Sequence, residues 1–181
     1  MGPNFAANAT SAIRSMEQTV IPAVDSKNGL AQEQAYLVLY YLRLFVEQHR
    51  HLLDFRLQEI RDYHALTQAL LDKAEKKGID LGEVRETASR TLASGARYVS
   101  TRLPSYDELA AAAQALREAA DQLTTRLLDG GGGALMKDLD ADRLILATSA
   151  RDELRDRAWV KGLGLDPNPD QIPPLAELLR T

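Results

Sequence analysis

The sequence predicts an all-α fold: an up-and-down bundle of four to five helices with one long helix at its centre. Three observations predict it. Apolar residues recur at three- and four-residue steps along most of the 181-residue chain. The punctuation between these runs is Pro, Gly and capping pairs, which stop and restart helices. No alternating run of β-branched residues is present to make a strand. The length suits one domain with a single core, read as a helical bundle over 1–161 followed by a Pro-rich tail over 162–181.

The first helix is expected from about Asn4 to Val20, with Phe5, Ala9, Ala12, Met16 and Val20 on one face; Pro22 and the turn-forming DSKNG (25–29) end it. A long helix follows from about Leu30 to Lys77, closed by Gly78. Its 48 residues would extend ~70 Å at 1.5 Å each, so a bend or short break is expected within it. Asp80 with Glu83 forms a capping-box pattern for a third helix, whose stripe is Leu81, Val84, Ala88, Leu92, Gly95 and Val99. Ser105 with Glu108 repeats that pattern ahead of a fourth helix (106–128), where Leu109, Leu116 and Leu123 stand seven apart beside small alanines. Gly130–Gly133 reads as a flexible joint. A fifth helix runs from about Leu139 to Lys161, with Gly162 just past its C-cap. The tail LGLDPNPDQIPPLAELLRT ends in a short amphipathic turn docked by Leu175, Leu178 and Leu179.

A net charge of −4 without a local basic cluster argues against a nucleic-acid binder, whose affinity comes from neutralising phosphates. Zero cysteines exclude disulfides, thiolate chemistry and finger-type zinc sites. The start, MGPNFAANATSAIRSMEQ, has neither a basic n-region nor an apolar h-region, and Ala6 stands where myristoylation wants Ser or Thr. The most apolar run, AYLVLYYLRLFV (35–46), includes Arg43 and is shorter than the ~20 residues a membrane span needs. A cytoplasmic protein with no membrane span is the expectation.

Residues 47–64, EQHRHLLDFRLQEIRDYH, hold all three histidines among several acids. On a wheel of 100° per residue, His49 and His64 share the apolar stripe with Leu53, Leu57 and Ile60, while His51 points nearly opposite. Fifteen residues separate His49 from His64, ~22 Å along a straight helix, so the two cannot share an ion. A di-iron bundle is excluded, because it needs Glu-x-x-His on two helices and no His lies outside this one. The acids Glu47, Asp54, Glu59 and Asp62 read as a solvated face of ion pairs, such as Arg50 with Asp54. His49, Arg56, Tyr63 and His64 are the candidate polar contacts in a ligand cavity; no metal site and no cofactor are expected.

Tyr36, Leu37, Tyr40, Tyr41, Leu44 and Phe45 carry the apolar surface right around the long helix. Such a helix is either central in its fold or pressed against a partner. Tyr36, Tyr40, Tyr41 and Leu44 are therefore the candidate interface. Catalytic motifs fail: the glycine run has no following Gly-Lys-Ser/Thr, and the Asp138-Asp140-Asp142 series meets Arg143 where a calcium loop needs Gly.

EQTVIPAVDSKNGLAQEQAYLVLYYLRL (17–44) resembles the N-terminal part of uncharacterised all-helical bacterial proteins, in which a short helix ends in V-[IL]-P-A and leads into a long second helix. The resemblance implies a small accessory protein beside acyl-CoA dehydrogenase-like and aminoglycoside-phosphotransferase-like neighbours, and it carries no functional residues. The leading expectation is a non-enzymatic accessory or interaction domain that binds a protein partner or a second copy of itself. The alternative is a bundle binding an acyl or aromatic small molecule. An enzyme using His49 or His64 ranks last.

Overall fold

The computed structural model describes residues 5–99, 104–138 and 140–179. In chain order the helices are α1 (Phe5–Ser15), α2 (Ile21–Ala23), α3 (Gly29–Gln48), α4 (Leu52–Lys76), α5 (Glu83–Gly95), α6 (Tyr106–Asp138), α7 (Ala141–Val160) and α8 (Leu175–Leu178). The protein is all-α, with no strand among the described residues. Six of these helices have eleven or more residues, against the four to five expected. The chain divides into two compact units: Met1–His51 with Arg155–Leu178, and Leu52–Leu154 with Leu179–Thr181.

In the first unit, α1 passes into a π-turn (Met16–Val20) and then α2, so Pro22 lies inside the last turn and not beyond it. The Ile21 N–H bonds the Met16 carbonyl five residues back. That wider turn makes room for the Pro22 ring, which in a regular α-turn presses on the carbonyl four residues earlier. Asn28 caps α3, its side-chain oxygen accepting from the Ala31 N–H at 3.1 Å. α1 packs along α3.

This unit buries little. Its buried apolar residues among those described are Ala9, Ala35, Leu39, Ala158, Ile172 and Leu175, three of them alanines. The first half of the long helix is therefore not the buried centre that the sequence predicts; Ala35 and Leu39 alone are buried in α3. α3 ends in a 3-10 turn over His49–His51, the break its length suggested. At the far end of α7 a second 3-10 turn (Lys161–Leu163) intervenes, so Gly164, at φ 69°, takes the left-handed position expected of Gly162. Lys161 Nζ donates to the Ile172 carbonyl at 2.8 Å, and Leu175 of α8 is buried as expected.

The second unit holds the large core. Leu109, Leu116 and Leu123 of α6 are fully buried at their seven-residue spacing, with Ala113, Ala119 and Ala120 beside them. Leu66, Leu70 and Ala74 of α4 and Leu81, Ala88 and Leu92 around α5 complete the same cluster. Each fully buried leucine contributes about 2 kcal/mol of transfer free energy. A Cβ at Gly95 would stand 3.3 Å from Leu116 Cδ1 and 3.6 Å from His64 Cδ2, so α5 packs close against α4 and α6 there.

Three expectations fail in this unit. Leu53 is 41% exposed and His64 only half-buried, while Phe55 and Tyr63 point inward. A 3-10 turn advances 120° per residue instead of 100°, so three such residues rotate every later position by about 60° from the straight wheel. The Asp80–Glu83 capping box does not form: Gly82 (φ 54°) is the N-cap of α5, and Asp80 Oδ1 accepts from the Gly82 N–H at 2.9 Å. Finally, α6 runs through Gly130–Gly133 to Asp138 with no joint. Strong helix formers flank the glycines on both sides and no proline intervenes, so propagation at one hydrogen bond per residue outweighs the ~1 kcal/mol each glycine costs.

Candidate functional site

The charged face expected to be solvated is partly buried. Glu59 is 3% exposed, Asp62 and Asp152 8% each. Their positions follow from helix geometry: Glu59 and Asp62 are one turn apart on α4, facing Arg117 of α6 and Asp152 and Arg151 of α7. Glu59 accepts from Arg56 Nη1 at 2.5 Å and Arg117 Nη2 at 2.9 Å. Arg117 also reaches Asp152 at 3.0 Å, and Asp152 accepts from the Tyr63 hydroxyl at 2.9 Å. Arg117 lies over the Tyr63 ring at 4.9 Å. Arg56 donates onward to the Tyr106 hydroxyl at 2.8 Å.

Burial and hydrogen bonding explain the electrostatics. Burial pushes the Tyr63 phenol up to about 12, aided by its bond to the Asp152 carboxylate. For the Arg56 guanidinium, burial lowers the pKa, but the bonds to Tyr106 and Glu59 outweigh it and the net direction is up. Two of the four sequence-predicted ligand contacts, Arg56 and Tyr63, thus meet partners within the chain. The cluster is a network of paired charges that ties α4, α6 and α7 together, and Tyr63 keeps its proton at neutral pH as the hydrogen-bond donor to Asp152.

The histidines go elsewhere. The His49 ring stacks on Phe45 at 5.6 Å, and its Nδ1 lies 2.9 Å from the Val46 carbonyl and 3.2 Å from that of Phe45, where it satisfies the end of its own helix. His64 packs against the Gly95 backbone. Among the described residues no group of three or more His, Asp or Glu is placed to hold a metal.

The outer face of α3 is an open apolar surface. Tyr36, Leu37, Val38, Tyr40, Tyr41 and Phe45 are 42–55% exposed. Tyr36 and Tyr40 stack one turn apart, ring centroids 6.4 Å from each other. Leu44 does not share that exposure: a Cβ at Gly162 would lie 3.8 Å from its Cδ1, so it packs toward the end of α7. From 34 to 44 the one charge is Arg43, held by Glu17 at 2.5 Å.

A recess of about 310 Å³ lies in the same unit, between the end of α3, the end of α7 and α8. Glu47, Gln48, Arg50, His51 and Lys161 give it its polar lining. His51, which the wheel sets opposite the apolar stripe, joins this lining; no local pattern points to it, because the tail that walls the recess is over a hundred residues away in sequence. No family model, curated protein or solved structure matches the chain.

Proposed function

We propose that the protein is a non-enzymatic interaction module that pairs with a second copy of itself through the outer face of α3. One observation carries the reading: an aromatic-rich helix in a unit with a thin core leaves six large apolar side chains about half open. A Tyr or Phe covers ~150–250 Å² when buried, so the four rings leave roughly 350 Å² open. Leu37 and Val38 bring the patch to about 500 Å², the upper range for a monomer's largest patch. With its polar rim, such a patch approaches the ~800 Å² per partner of a standard interface.

A second copy is favoured by charge. In a symmetric pair a patch meets itself, so any fixed charge on it faces its own sign. This face is neutral between Gln34 and Leu44 apart from the already paired Arg43, and its one neighbouring acid, the exposed Glu33, stands at the N-terminal edge, where two copies crossing near Tyr40 keep the two Glu33 carboxylates at opposite ends. Two copies meet there without repulsion, and a strongly charged foreign surface finds no complement.

Sedimentation velocity on the wild type and on Tyr40→Glu with Tyr41→Glu tests it. The reading expects a concentration-dependent dimer in the wild type and a helical monomer in the double variant. A wild type that stays monomeric at high micromolar concentration overturns it.

A further inference from the structure

The recess beside the His49–His51 turn has a lining that does not balance itself. Arg50 and Lys161 are set against one carboxylate, Glu47, with His51 and Gln48 as further polar groups. Lys161 spends one of its three protons on the Ile172 carbonyl. No hydrogen bond or ion pair joins Glu47, Arg50 or His51 to another described side chain. The walls between them are apolar, from Ala158, Pro174, Leu175 and Ala176.

Gly162 keeps the space open. A Cβ at that position would stand 2.8 Å from Glu47 Oε2, so any side chain there displaces the carboxylate or fills the opening. Gly162 is not among the glycines with positive φ, so space and not backbone conformation is what its missing side chain supplies.

We infer that this recess binds a small organic monocarboxylate with a compact apolar body. Arg50 and Lys161 against Glu47 give the charged lining a net +1, and Asp166 beside Lys161 lies outside that lining, so the recess matches a monoanion and a dianion exceeds it. The planar guanidinium of Arg50 presents two parallel N–H donors to a carboxylate. The apolar wall of Leu175 and Pro174 covers the hydrocarbon end. A volume of about 310 Å³ is at the small end of ligand pockets, which limits the occupant to a short-chain or single-ring acid. The site is separate from the outer face of α3 and does not depend on self-association.

The test is an amide chemical-shift titration of the full chain with butyrate, hexanoate and benzoate, and with hexanamide as the uncharged control. Saturable shifts confined to residues 47–51, 158–163 and 172–176 are expected for the acids and not for hexanamide. Arg50→Gln should weaken binding at least about ten-fold, the loss of one charge-assisted pair. Gly162→Leu should abolish it while the helical circular dichroism is kept. The same shifts should persist in Tyr41→Glu, which separates this site from the proposed dimer. No saturable shift with any acid, equal binding of hexanamide, or an unchanged affinity in Arg50→Gln each overturns the proposal; the last does so even where Gly162→Leu disturbs the fold.

Discussion

At the scale of single residues, Tyr63 donates a hydrogen bond to Asp152 beneath the Arg117 guanidinium, so ionising it would set a second negative charge beside a buried carboxylate. Its folded pKa of about 12 lies above the unfolded value near 10. Below about pH 10 both states keep the proton, and this contribution to stability is complete. Above that the unfolded chain ionises first, so stability falls as pH rises toward 12. Tyr63→Phe should lack this alkaline slope in denaturant titrations across the range and cost about 1 kcal/mol at neutral pH. Thr67 is the opposite case: it is fully buried and its hydroxyl has no hydrogen-bond partner among the described residues. Thr67→Val keeps the shape and removes the stranded donor, so urea unfolding should show a gain of about 1 kcal/mol. A loss there would mean that the hydroxyl is bonded. Arg56 and Tyr63 were legible in the sequence as polar groups on a partly apolar face. Their partners were not, because Tyr106 and Asp152 lie 50 and 89 residues downstream and only packing brings them near.

At the scale of elements, local patterns read well where one chain segment decides the outcome. The Ser105–Glu108 box forms as its spacing predicts, with the Glu108 N–H to Ser105 Oγ at 3.2 Å and the Ser105 N–H to Glu108 Oε2 at 2.8 Å. The same spacing at Asp80–Glu83 loses to Gly82, whose positive φ lets the chain enter α5 two residues later. The 3-10 turn at His49–His51 leaves no Gly or Pro as a marker, and with it the wheel lost its phase over α4. The glycine run reads as a joint by composition and is helix by context. Gly131→Ala should therefore stabilise by about 0.5–1 kcal/mol, the usual gain of Ala over Gly within a helix, and raise the helical signal. Destabilisation would restore the joint.

For the whole molecule, the all-α class follows from periodicity, and the division of labour between the two units does not. One unit packs the leucine and alanine core of α4–α6. The other places an aromatic helix on a thin core and leaves half of that helix's apolar surface to water. Composition announced the aromatic surface of α3; which side stays open depends on how few residues α1 and the C-terminal segment set against it.

Because the chain has no cysteine, Val38→Cys offers a single spin-labelling site on the open face, where Val38 is 49% exposed. Pulsed dipolar spectroscopy on that labelled chain measures self-association most directly. A symmetric pair across α3 predicts one short intermolecular distance that fades as unlabelled chain is added and vanishes in the Tyr40→Glu, Tyr41→Glu background. A sample with no dipolar coupling at concentrations where a dimer should fill would contradict the account.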